Sequence, residues 1–325
     1  MVDVTLRPLD PAELVGEPRS ARADTMFRFA TMSAGFLVLV ILVGIAVATT
    51  IKAWPAFRSE GLGYLFTDNW HPVSGDFGAL AIIYGTIVVS VIALVVAVPI
   101  SLGIALFITE LATRRIRGAI TTVMDVLAAV PSVVFGLWAF LTLRPHLKGI
   151  FNSIADGVSS VPVLNRVFGP SLSGQSFMTA GLIVGLMITP IITSILREVF
   201  QTVPTNDKNG ALALGATRWE MIRGVVIPHS TGGIVGAVML GLGRAMGETI
   251  AVALVIGASP QIVSNLFAQG EAMPSVIARN LNESDGTYRA ALIGLGVVLF
   301  FVTILINMSA RGLVRIANRR SRGAA

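Results

Sequence analysis

One stretch of the sequence puts two opposite charges where charge is hardest to accommodate. Between Gly224 and Gly270 the only ionised side chains are Arg244 and Glu248, set in Gly241-Leu-Gly-Arg244-Ala-Met-Gly-Glu248-Thr249. A charged side chain at the centre of a membrane helix costs roughly 2.5–3.5 kcal/mol on insertion scales, and arginine keeps its proton in any plausible environment. A guanidinium facing an internal cavity suits a tetrahedral oxyanion, which it meets with parallel N–H donors. No loop fits between the apolar runs 224–243 and 249–270, so one helix is expected through the segment, and Glu248 at i+4 shares a face with Arg244, each charge partly neutralising the other. Two readings follow: an anion pathway in which Glu248 holds Arg244 when no anion is present, or a buried ion pair that locks one helix to its neighbour. Gly232/Gly236 and Gly243/Gly247, at spacing four, predict close helix approach. Gly241-x-Gly243-x-x-x-Gly247 is no dinucleotide loop, because it follows no strand.

The second informative segment is 198–230. Pro204 opens a short helix, Gly215 breaks it, and Thr217 with Glu220 forms a capping box that starts another. Trp219, Ile222, Val226 and Ile227 recur at helical spacing. A bare connector needs only a few residues, so this helix–turn–helix reads as a docking surface for another protein. The plainer alternative is a hairpin that packs only on its own bundle.

The elements that position these residues follow from composition. The chain has 325 residues, of which 54% are hydrophobic and 13% charged, with mean hydropathy +0.79. About 20 apolar residues cross a bilayer core, and backbone in lipid must bond internally, so the spans are helices. The predicted fold class is an all-α polytopic membrane protein with six transmembrane helices, at 28–51, 78–108, 118–143, 177–197, 231–257 and 288–310. The basic residues, net +6, cluster at helix ends rather than in one stripe, which argues against nucleic acid and for a lipid bilayer. The loops and tails on one side carry 16 of them and the opposite loops 7, so both termini are expected in the cytoplasm. Trp54, Tyr64, Trp70 and Tyr288 fall at the outer headgroup level, and 144–176 reads as an irregular outer loop. Pro99, Pro131 and Pro190 are expected to kink their spans. Asp125 reads as a water-facing or helix-bonding residue. His71, His146 and His229 fall apart from one another in loops, so no metal site is expected, and the absence of cysteine excludes thiolate ligands. No cofactor is expected.

No Gly-x-x-x-x-Gly-Lys-Ser/Thr occurs, and the only lysines are Lys52, Lys148 and Lys208, so the chain lacks a P-loop of its own. Ala211-Leu-Ala-Leu-Gly215 followed by Ile227-Pro228 resembles the cytoplasmic coupling ("EAA") loop of ATP-binding cassette (ABC) importer permeases. Leu127-Ala-Ala-Val-Pro-Ser-Val-Val-Phe-Gly-Leu-Trp138 and Gly243-Arg-Ala-Met-Gly-Glu-Thr-Ile250 make the chain similar to phosphate-specific permeases of the PstC type over residues 78–310. The resemblance implies a type I importer (MetI-like) fold in a bacterial cytoplasmic (plasma) membrane. It also implies a heterodimer with a second, PstA-like permease subunit, a PstB-like ATP-binding cassette ATPase dimer and an extracytoplasmic, PstS-like phosphate-binding protein. By that resemblance Arg244 and Glu248 match the pathway pair, and Ala211, Leu212, Gly215, Thr217, Trp219 and Glu220 fall in the ATPase-coupling loop. Where the family motif begins Glu-Ala, this chain has Asn209-Gly210. The expected organisation is a tail at 1–27, a first span and outer segment at 28–77, a permease domain at 78–310 with its coupling loop at 198–230, and a basic tail at 311–325. The chain is expected to be a transport subunit, not an enzyme. Rival readings are a permease for sulfate or molybdate, a secondary anion transporter or channel with Glu248 as proton relay, and a membrane scaffold.

Overall fold

The computed structural model describes residues 18–322, with side chains from Ala23 to Ser309. Most of the expected N-terminal tail, and the side chains of the basic C-terminal tail, lie outside the described residues. The chain divides after Ile51 into two compact units. Helix α1 (Pro18–Glu60) supplies the described part of the first unit and is long and apolar enough to cross a membrane. It is longer than the span expected from the sequence and continues through Pro55.

The second unit begins with the end of α1, a single-turn helix α2 (Gly63–Phe66) and a two-residue hairpin, β1 (Trp70–His71) with β2 (Asp76–Phe77). Helix α3 (Leu80–Leu106) runs through Pro99 and ends in a π-helical turn, Phe107–Leu111. Next comes α4 (Arg114–Ala129), bent by 89° against the segment Ser132–Val158. That segment consists of α5 (Ser132–Trp138), a π turn and α6 (Arg144–Val158). The bend falls at Pro131, where a missing N–H and the restriction on Val130 (ψ 127°) stop helix propagation. After α7 (Pro162–Val167), α8 (Phe177–Gln201) passes through Pro190 as one helix and is the most buried span. Two short helices, α9 (Thr205–Ala213) and α10 (Arg218–Met221), lead through a π turn into α11 (Ile227–Gly247). Then come α12 (Ile250–Val255), α13 (Met273–Asn280) and α14 (Gly286–Arg322). Among the described residues, five helices meet the length and apolarity of a span, and six if the bent pair is one.

Several expectations are corrected. The segment 144–176 is largely helical, in α6 and α7, because Leu147, Phe151 and Ala155 recur at helical spacing and bury one face against Phe267 and its neighbours. His146 and His229 accordingly lie on helices. Tyr64 and Trp70, expected among the outer aromatics, pack inside the protein. Tyr64 is buried and donates to the Ala291 carbonyl oxygen at 2.6 Å, and Trp70 meets Phe77 and Tyr288 edge-on. Asp125 is exposed on α4.

The core is α8 against α3, the most extensive helix contact in the fold. Small residues allow it: Ala93, Ala97 and Ala105 of α3 face Ala180, Val184 and Ile188 of α8 in one buried cluster. Ser101 Oγ donates across the seam to Thr189 O at 3.0 Å. The connection from α12 to α13 folds back over this seam, turned by Gly257 (φ +106°) and Ala258 (φ +62°). Its carbonyls at Leu266 and Ala268 accept from the N–H groups of Met178 and Phe177, at 2.9 and 3.2 Å. The first turn of α8, whose amides have no partner within the helix, is satisfied in this way. The same connection holds a buried ion pair. Glu271 meets Arg279, and also accepts from Ser275 Oγ at 2.7 Å and from the Ala272 N–H at 3.2 Å. Burial pushes the Glu271 carboxyl above its ordinary range, and the Arg279 guanidinium opposes that shift.

Two predictions follow from this packing. A Cβ at Gly85 would overlap the Glu271 carbonyl oxygen, whereas one at Gly103 on the same helix meets nothing within 4 Å. Gly85→Ala is therefore expected to cost about 1–3 kcal/mol of stability through overpacking, and Gly103→Ala to be neutral or slightly stabilising. Thermal unfolding of the detergent-solubilised protein measures both. Arg279→Met leaves the Glu271 carboxylate buried without its counter-charge, a loss of about 3 kcal/mol near neutral pH. A carboxyl whose folded pKa is raised contributes stability below that pKa and loses it as pH rises through it. The deficit of Arg279→Met should thus shrink as the pH is lowered from neutral into the acid range. A melting-temperature series against pH checks this, and a deficit independent of pH would contradict it.

Candidate functional site

Arg244 stands in the last turn of α11, and the helix ends three residues later at Gly247. Glu248 has turned to extended backbone (φ −69°, ψ 127°), and α12 restarts only at Ile250. The single uninterrupted span expected over 231–257 is therefore a broken one. With the helix stopped at Gly247, the i+4 relation between Arg244 and Glu248 does not hold. Among the described residues no carboxylate lies within 4.0 Å of the Arg244 guanidinium; the ion pairs are Arg197–Glu198, Lys208–Glu110 and Arg279–Glu271. Arg244 is exposed and Glu248 is buried at 8% exposure. Irregular backbone at membrane depth is tolerated where it is buried in protein or lines a cavity.

Arg244 closes one end of a groove of about 1010 Å³. Its floor is a single stripe of α11 running from Gly232 through Gly236 and Met239 to Gly243 and Arg244. At the helical rise this stripe covers about 18 Å. The walls come from Ile191 of α8 and from Ile304, Asn307 and Met308 of α14. Among the described residues Arg244 is the only ionisable one that lines it. It lies at the carbonyl end of α11, where the helix dipole favours a cation. The expected packing role of the glycines is reassigned. A Cβ at Gly232, Gly236, Gly243 or Gly247 meets nothing within 4 Å. The close approaches are at Gly233, against Val199, and at Gly241, against Ile192 at 2.6 Å. One set of glycines seats α11 on α8 and the other leaves the groove wide. The two sets differ by register on the helix, which spacing alone did not separate.

The loop residues sit on the other exposed surface. Gly215 takes φ +87°, a left-handed conformation that ends α9 at the expected position. Thr217 caps α10: its N–H donates to Glu220 Oε2 at 2.7 Å and its Oγ1 accepts from the Glu220 N–H at 3.3 Å. Trp219 is 62% exposed, Leu214 91% and Leu212 40%, so three large apolar side chains face outward together. Trp219 therefore leaves the apolar face on which it was placed with Ile222 and Val226, both of which are buried. Ala211 packs on the main core. One contact escaped the sequence reading. Lys208 of α9 meets Glu110 in the π turn after α3 at 2.6 Å, across 98 positions of chain. The available signal was that each is a lone charge of its type, one at the end of an apolar run and the other in a loop.

Among the described residues the groove presents one permanent cation beside glycines, apolar side chains and Asn307, an arrangement that can lower the cost of an anion. Residues 97–323 match the family model described as binding-protein-dependent transport system inner membrane component. The chain is 40% identical over 305 residues to the phosphate transport system permease protein PstC of Mesorhizobium japonicum, covering 93% of each. It is 38% identical to the protein of the same name from Haemophilus influenzae, covering 90% of this chain and 93% of that one. Among solved structures, a chain of the MetNI methionine ABC transporter in inward facing conformations matches with TM-score 0.51 at 17% identity, over 74% of this chain and 94% of that chain. The last match speaks for the fold alone. The chain belongs to the binding-protein-dependent transport system inner membrane component family, among the PstC permeases of phosphate transport systems.

Proposed function

We propose that this multi-pass inner-membrane permease, which is not itself an ATPase, supplies half of the transmembrane pathway of an ATP-driven phosphate importer. The observation that carries the reading is the unpartnered Arg244 at the end of the groove. Phosphate reaching mid-membrane loses its hydration, and a fixed guanidinium with parallel donors offsets that loss. Glu248, buried just past the helix end, adds a negative charge that weakens the hold on a departing anion. The other half of the pathway is a second, PstA-like permease subunit. The exposed α9–α10 face, with Leu212, Leu214 and Trp219 outward and Gly215, Thr217 and Glu220 fixing its turn, receives a PstB-like ATPase pair. A PstS-like binding protein delivers phosphate from the opposite side. Both termini are then cytoplasmic, a reading supported by the distribution of 16 basic residues against 7.

ATP binding in the partner closes the ATPase pair and displaces the docked loop, and the groove becomes accessible alternately from either side. Arg244→Ala removes the only lining charge and should reduce uptake at limiting phosphate by about 100-fold, the equivalent of the roughly 3 kcal/mol at stake for a charge at mid-membrane. Assembly should be unaffected, because the side chain is exposed and makes no internal bond. Radiolabelled phosphate uptake alongside subunit co-purification measures both. Normal uptake by Arg244→Ala would remove the pathway role.

A further inference from the structure

A displaced α9–α10 loop must pull on the helices behind it, and very little of α9 touches them. Of the nine residues Thr205–Ala213, seven are exposed, and only Lys208 and Ala211 are partly buried. Three positions apart, they share one face. Ala211 contributes a methyl group. Lys208 contributes an ammonium that reaches two other elements: Glu110 Oε1 at 2.6 Å and the Phe200 carbonyl oxygen at 3.4 Å. The pair is shielded, with side-chain exposures of 15% for Lys208 and 8% for Glu110. Glu110 stands in the π turn that ends α3, and Phe200 is fully buried in the last turn of α8. One ammonium therefore ties α9 to the ends of the two helices with the most extensive mutual packing in the fold. α8 in turn carries Ile192 and Val199, which seat α11, and Ile191, which lines the groove.

We propose that Lys208 and Glu110 form a strut that converts movement of α9 into movement of the α3–α8 pair, and through it into opening and closing of the groove. They are positioning residues that touch neither nucleotide nor anion. The inference rests on the reading that the ATPase docks on the α9–α10 face. The chemistry suits the role. A shielded pair with a charge-assisted hydrogen bond is short and directional, and neither partner can be withdrawn without leaving an uncompensated charge. An apolar contact such as that of the Ala211 methyl can slide.

The test uses the complete importer, with all subunits, in proteoliposomes. Phosphate transported and ATP hydrolysed are measured together for the parent, Lys208→Met, Glu110→Gln and the exchanged pair Lys208→Glu with Glu110→Lys. The expected result is that both single variants co-purify with the ATPase and hydrolyse ATP, while phosphate moved per ATP falls about fivefold or more, the lower end of typical coupling energies. The exchanged pair should recover most of that ratio. Single variants with the parental ratio, or an exchanged pair that recovers nothing, would overturn the strut. So would single variants that fail to assemble while the exchanged pair assembles, since the pair would then be a brace for folding only. The parent complex separates this outcome from failure of the underlying reading. If the parent shows no ATP-dependent uptake, the docking reading falls; if it does and the variants are unchanged, only the strut falls.

Discussion

A guanidinium cannot shed its charge, and lipid cannot solvate it. Much of the arrangement around Arg244 answers that constraint. The side chain lines a groove, with glycines at 232, 236 and 243 leaving room beside it. It sits at the carbonyl end of α11, where the helix itself contributes a compensating partial charge. The helix stops three residues later, and at the break Glu248 is buried in the protein, a setting in which broken helices survive in membranes. Among the described residues the guanidinium has no carboxylate partner, and the proposed anion would supply its counter-charge.

The groove keeps its shape because α11 is mounted on a rigid seam. α8 lies between α3 and α11, close to both through small residues, and its first turn is capped by carbonyls of the α12–α13 connection. At the far end α8 hands the chain to α9. A single helix thus links the α12–α13 connection, the groove wall and the exposed α9–α10 face. Tightly packed interiors transmit displacement rather than absorb it, so a movement at either end is felt at the groove.

Most spans were legible in the sequence because apolar runs of that length have no other stable form. The two-helix loop was legible too, since Gly215 and the Thr217–Glu220 box act through local backbone chemistry. What escaped was decided by tertiary contact. The break at Glu248 has no proline or paired glycines to announce it, and an Arg–Glu spacing of four reads as a helical pair until the backbone is seen. The roles of the α11 glycines depend on which side α8 occupies, and hydropathy does not record that. The Lys208–Glu110 pair joins residues 98 positions apart and has no local signature. α6 and α7 were hidden by Gly, Ser and Pro in the same stretch, although the Leu147, Phe151 and Ala155 spacing was there to be counted.

The central claim is that the Arg244 end of the groove is a wet, anion-accepting passage in the working importer. The chain contains no cysteine, so a single thiol can report on one position. Gly236→Cys and Gly243→Cys place it on the groove floor at sites where a Cβ meets nothing within 4 Å. Modification by a charged, membrane-impermeant thiol reagent should proceed at both positions in the assembled complex during ATP turnover, and phosphate should slow it at Gly243→Cys. A thiol at 243 that stays unmodified through turnover would mean that this face meets lipid or protein, and the account would fail.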